Sequence, residues 1–328
     1  MLNSAEIRRD NKKSIYRFML DGECYTKQQV AAGTGLSVAT CNTLLNDMAQ
    51  QGIVSGSRKQ LGEVGRSAVL YQIREDHESY LAVHFTVTPG GRQVESLVFS
   101  PTGKMLFRET LDCGFVDYEQ VEAVVRQQLQ RWPNVRQIII GTPSSAEYGI
   151  IRHCDIPELE NVPMKQRLEE SFSLPVAMES DMHHKAYGYY KKTGNRENVI
   201  SLGYFSSHVF PGTATIHKGT IIRGANGIAG MVGFLPCDVS ARQQLELLKP
   251  ETCVPIVAQS LSAIISLLNP GTIVLTGNLI HETMLRQVRE KIAANIPEAY
   301  IPEMVIADNL NDYYYEGMYQ LAVDRKIL

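Results

Sequence analysis

The order strand, strand, strand, helix, strand is written twice along the chain. From Tyr80 onward, LAVHFTV, VESLVFS and MLFRETL are short apolar runs separated by punctuation such as Pro101-Thr102-Gly103-Lys104, as in an antiparallel meander. A helix over about 118–132 and a buried strand at 137–140 follow, ending at Gly141-Thr142-Pro143-Ser144. The order then returns as VISLGYF, TATIHKG, TIIRG, a helix over about 255–268 and TIVLTGN. The repetition is architectural rather than literal, and it predicts two like halves facing each other across a cleft, where ligands usually bind.

Each half opens like a ribonuclease-H-like unit. The fold class expected is therefore α/β, with a two-lobed ribonuclease-H-like domain of the actin and hexokinase type at 77–328. The 328 residues, 44% hydrophobic, suffice for more than one core. The N-terminal 74 residues read differently. A helix over about 7–20 carries Ile15, Phe18 and Met19 on one face, with Arg8, Arg9, Lys12, Lys13 and Arg17 around them. Thr26 and Gln29 form a capping box for a second helix, which stops at Gly33-Thr34-Gly35. Ser37 caps a third, whose apolar face is expected to hold Val38, Cys41, Leu44, Leu45 and Met48, with Ala39, Thr40, Asn42, Thr43 and Asn46 facing out. Gly52 closes it. Strands at 53–54 and 69–73 then flank a loop with Arg58, Lys59, Gly62, Gly65 and Arg66.

Helix, capped helix, glycine turn, capped helix and basic hairpin, in that order, predict a winged helix-turn-helix over 1–74. The third helix has neither Arg nor Lys, the commonest guanine readers. DNA contacts are therefore expected from Lys27, Arg58, Lys59, Arg66 and the first helix on phosphates, and from Ser37, Thr40, Asn42 and Thr43 at the third helix, Asn42 suiting adenine. Charge agrees in sign: residues 1–74 hold 10 Lys and Arg against 6 Asp and Glu, while the remainder holds 22 against 29. No stretch has the length of a membrane span and the N-terminus is too polar for a signal peptide, so a cytoplasmic protein is expected. The cysteines at 24, 41, 113, 154, 237 and 253 are scattered without a CxxC pair and read as buried free thiols, with no metal site.

Segments in both parts resemble the ROK family of sugar-responsive repressors and sugar kinases. IRRDNKKSIYRFM, LSVATCNTLLNDMAQQGIV and GRSAVLYQI resemble the heads of its repressors. GTPSSAEYGIIRHCDIPELENVPM, LPVAMESDMHHKAYGYY, RGANGIAGMVGFLP and LSAIISLLNPGTIVLTGNLI resemble successive landmarks of its body, the third being the most specific. The resemblance implies ligand contacts among Ser144, Asp155, Glu179, Ser180, Asp181, Asn226, Gly227 and Met231.

Departures from the family pattern then bear on mechanism. Where its first phosphate loop has an acidic residue and Gly-Gly-Thr, this chain has His84-Phe85-Thr86-Val87-Thr88-Pro89-Gly90-Gly91, and the second loop is 205–212, FSSHVFPG. Proline and bulky side chains remove amide donors and close backbone approach, so ATP binding is not expected. Met231 replaces the sugar-contacting Glu, Phe234 the sugar- and zinc-binding His, and the zinc cysteines after Cys237 are absent. Asp181 matches the kinases' general base; it is expected either to accept from a ligand hydroxyl or only to cap the following helix. Ser180 stands for a sugar-contacting Asn, and Asp155 lies near another contact. His183 and His184, adjacent on a helix, point about 100° apart and read as packing or solvated groups, and Tyr313-Tyr314-Tyr315 as packing or a subunit contact. Gly224, Gly227 and Gly230 read as turns at the cleft wall.

The function expected is a DNA-binding transcription regulator of the ROK type, a repressor, not an enzyme and without cofactors. Its partners are an operator in double-stranded DNA, a sugar or sugar derivative in the cleft, and further copies in a homodimer or homotetramer. Two alternatives stay open: a ligand-blind regulator whose body serves for oligomerisation or for docking a phosphotransfer protein, and a sugar kinase with an appended head.

Overall fold

Local caps set the first elements of the computed structural model, which describes residues 3–60, 67–88, 91–152, 156–194, 197–207, 209–236, 239–307 and 310–327. Asn3 Oδ1 accepts from the Glu6 amide and Glu6 returns the bond to the Asn3 amide, both at 2.8 Å, starting α1 (Ser4–Phe18) earlier than expected. The Thr26 and Gln29 box starts α2 (Lys27–Thr34), Gly35 ends it at φ 73°, and Ser37 caps α3 (Val38–Gln50). The hairpin of β1 (Val54–Gln60) and β2 (Ser67–Ile73) pairs from Val54 with Ile73 to Gln60 with Ser67. Its Val54, Tyr71 and Ile73 share one core with Ile15, Met19, Val30, Cys41, Leu44, Leu45 and Met48. Val38 corrects the expected apolar face: it is 45% exposed. As the first residue of α3, its side chain leans past the end of the helix rather than onto the core. Cys24, expected buried, is also exposed, in the connection between α1 and α2.

The body begins with β3 (Ser79–Thr88), β4 (Gly91–Phe99) and β5 (Met105–Cys113), followed by α4 (Tyr118–Arg131) and β6 (Val135–Thr142). The short hairpin β7 (Ser145–Glu147) and β8 (Ile150–Arg152) leads to α5 (Met164–Phe172), β9 (Val176–Ser180) and α6 (Asp181–Thr193). The second lobe contains β10 (Val199–Tyr204), β11 (Gly212–His217), β12 (Thr220–Ile221), α7 (Ala241–Leu247), α8 (Val254–Leu268), β13 (Thr272–Thr276), α9 (Glu282–Ala293), β14 (Glu303–Ile306) and α10 (Asn311–Ile327). The sheets run β5-β4-β3-β6-β9 and β12-β11-β10-β13-β14. Both join an antiparallel meander to two parallel strands, which is the doubled architecture expected. The run TIIRG contributes only Thr220 and Ile221 to its sheet.

Outer helices α4 and α5 cover the first sheet, and α8 and α9 the second. Between the sheets the inner helices are exchanged: α6, from the first half, packs on Ile200, Leu202, Ala214 and Val274, while α10, from the end of the chain, packs on Tyr80, Ala82, Leu97 and Ile139. The two cross at glycines. A Cβ on Gly188 would lie 1.7 Å from the Tyr313 carbonyl oxygen, and one on Gly317 1.8 Å from that of His184, so backbone meets backbone. The head docks on the same layer: Tyr16 and Leu20 pack against the α10 cluster. The hydroxyls of Tyr16 and Tyr80 donate to buried Glu78 at 2.7 and 2.8 Å. Among the described residues no helix is long and apolar enough to cross a membrane.

Candidate nucleic-acid interface and effector cleft

The outward strip of α3 is polar and small. Ser37, Ala39, Thr43 and Asn46 are exposed, and Thr40 and Asn42 half-buried. Ser37 Oγ accepts from the Thr40 amide at 3.1 Å and shares a hydrogen bond with its hydroxyl at 2.9 Å. Thr43 Oγ1 donates to the Ala39 carbonyl at 3.1 Å, back onto the preceding turn of α3. Lys27 donates to Asn42 Oδ1 and stands 5.8 Å from the centre of the Tyr71 ring. Two cations of the first helix are already engaged. Arg8 and Lys12 reach Asp47 on α3 at 3.0 and 2.9 Å, and their hydrogen bonds hold its carboxyl below the usual carboxylate range. Arg58 is exposed on β1, and the backbone of Lys59 pairs with Ala68. Arg66, Gly62, Gly65 and the Lys59 side chain lie outside the described residues.

In the body, a cavity of about 820 Å³ runs along β9, bounded by the turn of the β7–β8 hairpin, α5 and the 223–227 segment of the second lobe. Of the expected ligand residues, Glu179 and Gly227 line it. Glu179 is 4% exposed: Oε1 accepts from Arg223 Nε and Nη2, each at 2.9 Å, and Oε2 bonds His183 Nδ1 at 2.9 Å. Arg223, on the other lobe, had no sequence signal beyond its place before the glycine segment. Tyr148, also missed, is exposed and donates across the lobes to the Ala225 carbonyl at 2.8 Å. Lys165 and Glu169 of α5 complete the opposite wall.

The other expected contacts among the described residues lie off this cavity. Ser180, not Asp181, caps α6, its hydroxyl accepting from the His183 amide at 3.3 Å. Asp181 is the first helical residue, 8% exposed, and Oδ1 accepts from the Tyr314 hydroxyl of α10. Ser144 is buried, with no hydrogen-bond partner for its hydroxyl among the described residues. Asn226 is exposed, Met231 half-buried, Phe234 57% exposed, and Asp155 outside the described residues. Gly230 has φ 94°, and its carbonyl accepts from the amide and hydroxyl of Thr213 at 2.8 and 2.9 Å, a turn closed against β11.

Of the segment that stands where the family has its first phosphate loop, 84–88 are strand, and Pro89 and Gly90 lie outside the described residues. β3 runs through to Thr88, and His84, inside it, bonds Glu95 on β4 at 2.6 Å. Glu95 also accepts from Arg108 at 2.6 Å, Thr110 at 2.9 Å and Tyr315 at 2.8 Å. Burial works against its ionisation, yet His84, Tyr315 and Arg108 bring the carboxyl down to about 2. Tyr314 lies edge-on to His84 with ring centres 4.7 Å apart. Burial, then the Asp181 carboxylate, pushes its hydroxyl well above the ordinary tyrosine range, so it stays a donor.

Residues 85–253, just over half of the chain, match the ROK family. The chain belongs to the ROK family. The chain is similar to a xylose repressor from Caldicellulosiruptor bescii, 22% identical over 351 residues, covering 96% of this chain and 87% of that one. Its fold matches a ROK family transcriptional regulator described as a homologue of the E. coli MLC protein, with TM-score 0.70, 13% identity and 98% of each chain covered. A ROK hexokinase from Thermus thermophilus matches with TM-score 0.57 and 18% identity, covering 75% of this chain and 99% of that one. The kinase match thus spans three quarters of the chain, and the regulator match nearly all of it.

Proposed function

We propose that this ROK-family chain is a DNA-binding transcriptional repressor. In this reading residues 1–74 contact an operator and residues 77–328 form the oligomerising, effector-binding unit. The observation that carries the reading is the capped, solvent-facing strip of α3 next to the β1–β2 hairpin, set in front of a ROK body. A helix of this kind fits the major groove with its N-terminal residues at the base edges. The name of the Caldicellulosiruptor relative supports the same reading and nominates a pentose, or another sugar, as effector. Two copies place two heads on two-fold-related half-sites. A sugar in the cleft relieves repression only by binding the two arrangements of the heads with different affinity.

Phosphoryl transfer is not part of this proposal. It needs backbone amides around the nucleotide phosphates and a base free to take a hydroxyl proton. Here β3 continues where such a loop would stand, and Asp181 is hydrogen-bonded to Tyr314.

Footprinting of the purified full-length chain on DNA upstream of its own gene, with xylose and other sugars added singly, tests the reading. The expected result is one protected site, weakened by salt and relieved by one sugar. Protection indifferent to every sugar keeps the repressor and favours a ligand-blind body, and no protected site contradicts it.

A further inference from the structure

Lys27 is the first residue of α2, yet its ammonium turns inward, donating to Asn42 Oδ1 on α3 beside the Tyr71 ring. A lysine ammonium has donors only, so the amide oxygen of Asn42 has to face it and the NH2 group has to face away. Asn46 follows from this. Its Nδ2 donates to the same Asn42 oxygen at 3.4 Å, and its own oxygen accepts from the Tyr71 hydroxyl at 3.0 Å. Both amide oxygens on this side of α3 are therefore satisfied inside the head. What the couple has left over is N–H groups: those of Asn42 Nδ2 and those Lys27 does not use on Asn42.

An asparagine that reads adenine needs its oxygen for the N6 amino group as well as its NH2 for N7. Wired as it is, Asn42 has its acceptor engaged within the head, which argues against the adenine contact its residue type suggests. Guanine alone presents two neighbouring major-groove acceptors, O6 and N7; adenine and cytosine place an amino group there, and thymine a single O4 beside its methyl. We infer that Lys27 and Asn42 act together as a donor-only reader of guanine in the operator, standing in for the arginine that α3 does not have. The inference rests on the DNA-binding reading above.

The experiment is selection of binding sites from randomised duplexes by the full-length chain and by Lys27→Met, Asn42→Ala and Asn42→Asp. Asn42→Asp keeps an oxygen for Lys27 and replaces the outward NH2 with an acceptor, so it retains the wiring and loses only the donor. The wild type is expected to enrich a two-fold motif in which one guanine per half-site is preferred over adenine by roughly 10- to 100-fold. Each variant is expected to lose that preference and keep those at other positions. A motif unchanged by the variants, or one in which they erase an adenine or thymine preference, overturns the couple and leaves the DNA-binding reading standing. No enrichment by the wild type overturns both. Should Lys27→Met or Asn42→Ala melt early, Asn42→Asp alone decides.

Discussion

The outer strip of α3 and the buried carboxylates of the body carry similar polar chemistry and use it in opposite ways. On α3, Ser37, Thr43 and Asn46 are exposed, and their hydrogen bonds close within one helix or to its immediate neighbours. In the body, Glu179 at the cavity and Asp181 and Glu95 away from it are all under a tenth exposed and are bonded across lobes, helices or strands. A surface group exchanges water for a ligand at little cost, whereas a buried carboxylate that loses its donors keeps the full desolvation penalty. The contrast separates an exposed polar strip, which we propose meets DNA, from a buried layer that ties α10 to α6 and β4.

Substitutions that break this buried layer have the largest expected effects. Tyr314→Ala removes a buried ring from the α10 cluster and strips Asp181 of its donor, and should cost about 3–5 kcal/mol in denaturant unfolding. A loss below about 1 kcal/mol would show that the layer does not depend on this bond. Glu95→Gln comes next, at about 3 kcal/mol near neutral pH. Because the Glu95 carboxyl is lowered from 4.5 to about 2 in the folded chain, its contribution is present above about pH 4.5 and disappears as pH falls toward 2. The gap between wild type and Glu95→Gln should therefore close over that window, and a constant gap would contradict the assignment.

The head sharpens the comparison with smaller numbers. Ser37→Ala removes the cap of α3 and should cost about 1 kcal/mol, read from thermal melting. Thr43→Ala should change stability by less than about 0.5 kcal/mol, since the residue is exposed, while still lowering specific DNA affinity.

Much of the head was legible because its signals are local. Thr26 with Gln29, Gly35 and Ser37 act within a helical turn of themselves, and they lie where the structure starts and stops α2 and α3. Val38 was misplaced because periodicity puts it on the apolar face without registering that the core ends before the first turn. In the body the repeated strand order was visible, while the exchange of α6 and α10 was not. Tyr314 lies 133 residues from Asp181 and Arg223 44 from Glu179, and no spacing rule links such positions. The same distance hides the Tyr314 bond to Asp181: a general-base position reads alike whether its carboxylate is open or hydrogen-bonded from another helix. The Lys27 bond to Asn42 is hidden in the sequence for a similar reason, since its partner lies on the next helix.

The most direct test of the central claim is a titration of full-length protein against its own upstream DNA and against a scrambled duplex of equal length, at several salt concentrations, for wild type and Thr43→Ala. The account predicts tighter wild-type binding to the upstream site, with Thr43→Ala weakening that binding selectively and leaving the weak, salt-sensitive binding to scrambled DNA unchanged. Equal affinity of the wild type for both duplexes would contradict it.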